Sequence, residues 1–259
     1  MSQNNRYALT FETLAELSTE IRSTRADLAP VLPKLSEVLA QISPLPHAGL
    51  FLGLANDGWP VLLNLLEPTP GPLLILGDKG SGKTKLLQTV SQSIEHLPPS
   101  QKIKYVLFTN YPDEWNSLQF QNCDGILSIA NPESARYLGK LVEWAHAYPA
   151  NGQTVVLLFD DFEALISSNE IRQYLRWLFL RGPSHQVWPL VTLNAEHTDN
   201  LSSWLGMFHT RLYGCIENQQ TREILTGQKD NCVHELIRGS QFAMRDGESW
   251  LPFWIPRLG

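Results

Sequence analysis

The sequence is poor in cysteine, and its three cysteines lie far apart. Cys123, Cys215 and Cys232 form no C-x-x-C pair, whereas zinc sites and disulfide frameworks are built from closely and regularly spaced cysteines. The seven histidines are isolated and form no H-x-x-x-H or H-x-x-E-H cluster. These absences argue against a disulfide scaffold and against a zinc site. A reducing cytoplasm is the compartment that fits this cysteine usage.

Long apolar runs are also missing from the sequence. No run approaches the roughly 20 residues that are needed to span a bilayer. The first residues, Met1 to Arg6, carry neither the basic start nor the apolar block of a signal peptide. We therefore expect a cytoplasmic protein without membrane insertion.

Positive charge is not in excess. The formal net charge of the 259 residues is −6, so no global basic field indicates nucleic-acid binding. Any contact with DNA would be local or shared among the subunits of a ring. Apolar residues make up 43% and charged residues 18% of the chain, an ordinary globular balance. This length accommodates one large α/β domain with a sizeable core, plus an appendage.

The most informative stretch is a strand, a glycine loop and the start of a helix. The apolar run Leu73 to Leu76 predicts a buried strand, and the eight residues after it fit G-x-x-x-x-G-K-[ST] at every fixed position. Glycines allow backbone N–H groups to close on phosphate oxygens, and the helix start adds further N–H donors. The predicted nucleotide-binding residues are Gly77, Asp78, Lys79, Gly80, Ser81, Gly82, Lys83, Thr84 and Lys85. We expect Lys83 to contact the β- and γ-phosphates of ATP and Thr84 to bind Mg²⁺.

A second informative stretch is Thr154 to Leu165, TVVLLFDDFEAL. A buried strand that ends in acidic residues is what a Walker B element requires. Asp160 is the candidate for binding Mg²⁺, through a water molecule, and capping of the next helix is the alternative role for the two acids. Asp161 is placed to orient or deprotonate the attacking water, and Glu163 is its rival for this role.

A further buried strand, Val187 to Leu193, ends in Asn194. If this strand lies between the phosphate-loop strand and the acidic strand, Asn194 can contact the γ-phosphate or the lytic water. A strand-end cap is the alternative role for Asn194. No N-K-x-D motif follows the acidic strand, so ATP is expected rather than GTP.

The remaining pattern alternates strands and helices, which is typical of an α/β fold. Two hairpins are predicted, Gly49 to Leu54 with Trp59 to Leu65, and Gln241 to Arg245 with Trp250 to Ile255. Pro60 within the second strand predicts an edge position for it. Other strands and helices are expected at Lys104 to Thr109, Gly125 to Ile129, Asn131 to Ala147, Ser167 to about Gly182, Phe208 to Ile216 and Gln219 to Leu225.

Two helices are predicted ahead of this core, Thr10 to Ala29 and the shorter Val31 to Ile42. The proline-rich Ser43-Pro44-Leu45-Pro46 then makes a stiff connection. We assign residues 1–46 to an N-terminal helical appendage and residues 47–259 to a P-loop ATPase domain. The appendage is expected to pack on the main domain or to dock a protein partner.

With these landmarks in order, the chain resembles the FtsK/HerA superfamily of P-loop ATPases from about Leu50 to its end. The GLANDGWPV hairpin resembles the hairpin that leads into the family's Walker A strand, and FDDFEAL resembles its Walker B. Three later segments are similar to its remaining landmarks: Leu180-Arg181-Gly182 before the sensor strand, His209-Thr210-Arg211-Leu212 in the last core strand, and Leu236-Ile237-Arg238-Gly239 before the closing hairpin.

The resemblance implies a RecA-like P-loop NTPase core of the ASCE type, with a mostly parallel central sheet flanked by helices and a C-terminal β-hairpin. It also implies a homo-oligomeric ring, usually a hexamer, that hydrolyses ATP with Mg²⁺ and moves double-stranded DNA or, in secretion systems, drives substrate transfer. By their positions, Arg181 and Arg211 are candidates for an arginine finger supplied in trans; pairing with a carboxylate is the alternative for each.

Two positions depart from the family pattern. The family's catalytic glutamate is Asp161 in this sequence, and the sensor position, often glutamine, is Asn194. The shorter carboxylate predicts slow hydrolysis. No winged-helix domain or membrane anchor is expected in this sequence.

Three functions therefore remain open. The first is an ATP-driven ring motor acting on double-stranded DNA. The second is an initiator- or loader-like ATPase of the AAA+ class, although no helical lid is predicted after Ile216. The third is a nucleotide-switched assembly module with slow or absent hydrolysis.

Overall fold

The structure is a computed structural model that describes residues 32–69, 71–147, 152–166, 169–229, 232–246 and 249–258. The predicted helix Thr10 to Ala29 lies outside these residues. The chain divides into two units, Met1–Leu32 and Pro33–Gly259, and the elements described below belong to the second.

The described strands and helices follow the alternation expected from the sequence. The strands are β1 (Gly49–Ala55), β2 (Pro60–Asn64), β3 (Leu73–Gly77), β4 (Ile103–Phe108), β5 (Cys123–Leu127), β6 (Thr154–Phe159), β7 (Val187–Asn194), β8 (Thr210–Tyr213), β9 (Gln241–Asp246) and β10 (Ser249–Trp254). The α-helices are α1 (Leu35–Ile42), α2 (Lys83–Glu95), α3 (Pro132–Ala147), α4 (Phe162–Leu165), α5 (Asn169–Arg181), α6 (Ser202–Leu205) and α7 (Gln219–Thr226). Short 3₁₀ helices occur at Pro99–Gln101, Pro112–Trp115, Pro183–His185, Ala195–Leu201 and Val233–Glu235.

The strands form one sheet in the order β2-β1-β10-β9-β8-β3-β7-β6-β4-β5. The six strands from β8 to β5 are parallel, and the two hairpins extend the sheet with antiparallel strands. The predicted α/β fold with a mostly parallel core is confirmed, and β7 does lie between β3 and β6. The strand that begins with Pro60 lies at the edge, where its missing N–H costs no ladder bond.

Both faces of the parallel strands are buried, because successive side chains of a strand point to opposite faces. Leu74 and Leu76 of β3 pack into the core beneath α3 and α5. Leu73 and Ile75 pack into the core on the other face, against α2. This double burial accounts for the continuous apolar runs of β3, β6 and β7 in the sequence.

Two predicted strands differ from the structure by two or more residues at their ends. The strand expected at Phe208 to Ile216 is the shorter β8, because beyond it the chain follows the loop after β3: the Gly214 N–H donates to the Leu76 carbonyl at 2.7 Å, and the Asp78 N–H to the Cys215 carbonyl at 3.0 Å. The strand expected at Gly125 to Ile129 is β5, which begins two residues earlier, where its pairing with β4 is irregular.

The second predicted front helix corresponds to α1, which packs on the hairpin. Leu35, Val38 and Leu39 form a buried cluster with Phe51 of β1. The assignment of residues 1–46 to a separate appendage stays a prediction. Among the described residues, no helix has both the length and the apolar character required to cross a bilayer.

Phe162 anchors α4, the short helix after the acidic strand β6, in the hydrophobic core. Its side chain is fully buried and its ring contacts those of Phe179, Trp204 and Phe208, with centroids 5.4–6.4 Å apart. We expect Phe162→Ala to lower the free energy of unfolding by about 3–5 kcal/mol, because the cavity cannot close fully. Leu180→Ala is the matched control, since Leu180 is 63% exposed. Equal denaturant midpoints for the two variants would contradict this packing.

Candidate nucleotide site

The loop after β3 has the backbone that its glycines predict. Gly80 and Gly82 have φ values of +79° and +98°, which favour glycine. A Cβ on Gly77 would lie 2.4 Å from the Ser81 hydroxyl oxygen, so a larger residue does not fit there. The loop joins β3 directly to the N-terminus of α2, where unpaired N–H groups and the helix dipole favour an anion.

Lys83 stands at the start of α2 with its ammonium group inside the loop. Its Nζ donates to the carbonyls of Gly77 and Asp78 at 2.8 and 2.9 Å. Burial lowers the pKa of Lys83 to about 8, and the nearby carboxylates of Glu163, Asp78 and Asp160 oppose this shift. The group is therefore mainly protonated at neutral pH and offers a cation to a bound phosphate.

Thr84 and Asp160 meet at the carboxyl edge of the sheet. The Thr84 hydroxyl donates to Asp160 Oδ1 at 3.1 Å, and the Thr192 hydroxyl donates to the same oxygen at 3.3 Å. Burial raises the pKa of Asp160, while the hydrogen bonds from Thr84 and Thr192 and the charge of Lys83 act in the opposite direction. The structure thus brings together the two residues predicted to bind the metal.

The pairing of a hydroxyl with a carboxylate suits Mg²⁺, which prefers oxygen ligands. No group of three or more His, Cys, Asp or Glu side chains that could hold a metal occurs among the described residues. Mg²⁺ sites with few protein ligands are usual, because the ion keeps several waters and binds substrate phosphates. The residues present therefore fit a nucleotide-bound magnesium ion rather than a caged one.

Asp161 and Glu163 form a second acidic pair beside the first. Asp161 has a left-handed backbone, with φ of +86°, and its N–H donates to the Thr192 hydroxyl at 2.9 Å. Burial, together with hydrogen bonding to Glu163 and the charge of Glu163, raises the pKa of Asp161 to about 6. Asp161 is thus the member of the pair that protonates first as the pH falls.

Glu163 is held from three sides. Its Oε1 accepts the Asn194 N–H at 2.9 Å and lies 3.1 Å from His197 Nδ1. Burial acts to raise the pKa of Glu163, but the contacts with Asp161, the Asn194 amide and His197 outweigh it, so the pKa is lowered. Glu163 is therefore an ionised, oriented carboxylate, which keeps both acids open as candidate bases.

These residues line one cleft of about 780 Å³, within the usual range for a small-molecule site. Lys79, Gly80, Gly82, Lys83, Thr84 and Lys85 line it, together with Asp160, Asp161, Glu163 and Asn194. Asn194 is paired with Gly77 across the β3–β7 ladder, at the position that the sequence reasoning required. Gly77, Asp78 and Ser81 belong to the loop but not to the lining of the cleft.

Six further residues line the same cleft and were not singled out from the sequence: Gln88, Tyr111, Glu114, Thr192, Glu196 and His197. Tyr111 and Glu114 follow β4, and Glu196 and His197 follow β7. The signal that could have found them is their position, because the loops after the carboxyl ends of parallel strands meet at one edge.

The two candidate arginines lie away from this cleft. Arg181 ends α5, just before the amino end of β7, which is the opposite end of the strand from Asn194. Arg211 is paired in register with Leu74, and its guanidinium donates to the carbonyls of Phe208 and Leu205 at 3.2 and 2.7 Å. Neither completes the site of its own chain, and a role in trans stays a prediction for both.

No protein-family model matches the sequence. The chain is 25% identical over 254 residues to the chromosomal replication initiator protein DnaA of Streptococcus pyogenes serotype M4 (strain MGAS10750), a match that covers 85% of this chain and 52% of that protein. The chain thus spans about half the length of the curated relative it matches.

Three solved structures share the fold at low sequence identity. The cytoplasmic domain of the type VII secretion ATPase EccC from Thermomonospora curvata has a TM-score of 0.66 and 15% identity, covering 88% of this chain and 28% of that chain. The cytoplasmic domain of EssC has a TM-score of 0.63 and 15% identity, and the match covers 89% of this chain and 47% of that chain. The pCW3 conjugation coupling protein TcpA has a TM-score of 0.62 and 11% identity, and the match covers 87% of this chain and 69% of that chain. These neighbours are P-loop ATPases of the FtsK/HerA type, and the chain has their fold, as its sequence resemblance implied.

Proposed function

We propose that this chain is an ATP-binding and ATP-hydrolysing motor subunit of the FtsK/HerA type. The observation that supports this most strongly is the meeting of Thr84 and Asp160, 76 residues apart, at 3.1 Å beside the Lys83 ammonium group. Binding of a nucleoside triphosphate with a divalent cation accounts for all three residues at once.

The reaction is transfer of the γ-phosphoryl group of ATP to water. Lys83 and the N–H groups of the loop stabilise the negative charge that spreads over the phosphate oxygens. Thr84 and Asp160 would hold Mg²⁺, which would supply further neutralisation of the phosphate charge. Asp161 orients the attacking water and accepts its proton, with Glu163 as the alternative base, and Asn194 contacts the γ-phosphate or that water.

We further propose that the motor works as a cytoplasmic homo-oligomeric ring, with hexamers the expected size, and that it acts on double-stranded DNA. The support is the fold shared with the type VII secretion ATPase EccC, with EssC and with the conjugation coupling protein TcpA. In a ring, Arg181 or Arg211 of one subunit would serve the ATP of the next. The net charge of −6 implies that DNA contacts arise from a local surface of the assembled ring.

Two alternatives have specific support. A nucleotide-switched assembly module is favoured by the shorter carboxylate at Asp161, since aspartate reaches less far towards the attacking water than the family's glutamate. An initiator-like ATPase of the AAA+ class is favoured by the DnaA match. Against it, the described chain after β8 contains only the short helix α7, a 3₁₀ turn and the β9–β10 hairpin, with no helical lid in those residues.

ATP turnover with and without linear double-stranded DNA, at matched ionic strength, separates these functions. The motor predicts clear stimulation by DNA of any sequence, and turnover that rises with protein concentration as rings assemble. Lys83→Ala protein is the control for contaminating ATPases. ATP binding without turnover in either condition would contradict the motor and favour the switch.

A further inference from the structure

The segment that precedes the terminal hairpin lies directly against the phosphate loop. The Gly239 N–H donates to the Ser81 carbonyl at 3.1 Å, and Lys85 Nζ donates to the Gly239 carbonyl at 3.3 Å. The two backbones are so close that a Cβ on Gly82 would lie 2.9 Å from the Gly239 Cα. The shape of the loop therefore depends on a segment more than 150 residues later in the chain.

Arg238, next to this contact, joins two carboxylates and the loop backbone. Its Nη2 lies 3.0 Å from Glu217 Oε1 and 3.6 Å from Asp78 Oδ2, and its Nη1 donates to the Lys79 carbonyl at 3.3 Å. Asp78 Oδ2 also accepts the Glu217 N–H at 2.8 Å. The three side chains carry a net charge of −1 with Arg238 present and −2 without it.

Asp78 needs this compensation because it is an acidic residue inside a loop proposed to bind a triphosphate. Its side chain is only 24% exposed, so solvent screens it incompletely. Left unpaired, the carboxylate would repel the phosphates that Lys83 attracts. Arg238 does not line the cleft, so it acts on a bound nucleotide through Asp78 and through the carbonyl of Lys79.

The geometry points to Arg238 as a positioning residue for the triphosphate. Its charge neutralises Asp78, and its contacts hold the Asp78 carboxylate on the side of Glu217. Its hydrogen bond to the Lys79 carbonyl fixes that peptide, so that the loop keeps the conformation that binds phosphate. This inference rests on the proposed ATP binding. In this proposal, the segment before the terminal hairpin controls the affinity of the phosphate loop for ATP.

The test is a double-mutant cycle on ATP affinity, measured with the full chain by calorimetric titration in Mg²⁺. We expect Arg238→Ala to weaken ATP binding by about fivefold, the order expected for a partly exposed ion pair. Adding Asp78→Asn to Arg238→Ala should recover affinity to within about twofold of the wild type, because the uncompensated charge is removed. Arg136→Ala, at an exposed site on α3, is the matched control.

Ionic strength and a conservative variant separate this electrostatic role from a purely structural one. The deficit of Arg238→Ala should shrink as salt rises, because screening weakens the repulsion by Asp78. Arg238→Lys should keep most of the affinity. Wild-type affinity in Arg238→Ala, or a deficit that neither salt nor Asp78→Asn relieves, would overturn the inference. Failure of the wild type to bind ATP would instead overturn the proposed function.

Discussion

Lys83→Ala is expected to abolish detectable ATP binding. A unit charge about 4 Å from a phosphate is worth roughly 4 kcal/mol at an effective dielectric constant of about 20, which corresponds to a loss of affinity on the order of 1,000-fold. The ammonium group already lies inside the loop, bonded to the carbonyls of Gly77 and Asp78. It is therefore positioned to meet the phosphates without rearrangement of the backbone.

Two controls make this result specific. Lys140→Ala removes an exposed lysine of α3 and should leave ATP affinity unchanged. Thermal unfolding of Lys83→Ala should match that of the wild type to within a few degrees, because the desolvation that lowers the pKa of the ammonium group to about 8 offsets its two hydrogen bonds to the loop. Calorimetric titration with ATP measures the effect, and normal binding by a folded Lys83→Ala protein would refute the phosphate-loop assignment.

Asp161→Asn is expected to retain ATP binding and to lose turnover by roughly 100-fold or more, the usual range for removal of a general base. Asparagine has nearly the same shape as aspartate but cannot accept the proton of the attacking water. The Asp161 N–H bond to Thr192 is a backbone contact and survives the change. The variant should therefore bind ATP with wild-type affinity while its rate of ATP hydrolysis falls.

Glu163→Gln is the matched comparison for the choice of base. Glu163 is the better-oriented acid, with the Asn194 N–H and His197 on one oxygen, whereas Asp161 directly follows Asp160 in the chain. Steady-state phosphate release at saturating ATP measures both variants. Retained turnover in Asp161→Asn together with its loss in Glu163→Gln would transfer the role of base to Glu163.

The parts of the site that could be predicted from sequence are those that local chemistry dictates. The glycines before Lys83 and the apolar strand before Asp160 can each be recognised from a stretch of about a dozen residues. Their meeting also follows from local information, because parallel strands bring their carboxyl ends to one edge. The place of Asn194 beside the phosphate-loop strand does not follow from this logic, because strand order depends on tertiary pairing, and the sequence offered it only as a condition.

The parts that could not be predicted depend on contacts between distant segments. Nothing near Arg238 in the sequence indicates that it meets Lys79, 159 residues earlier. His197 lies in a 3₁₀ helix that has no distinctive pattern, so its contact with Glu163 was not foreseen. The two hairpins are joined because β1 pairs with β10. Strand periodicity in the sequence does not specify which strands pair in this way.

The central claim is that Lys83, Thr84 and Asp160 form one ATP site, and calorimetric titration of the wild-type protein with ATP tests it most directly. The account predicts saturable binding of one ATP per chain that tightens when Mg²⁺ is added, because Thr84 and Asp160 then contribute through the ion. No binding of ATP at millimolar concentration by the folded protein, with or without Mg²⁺, would contradict it.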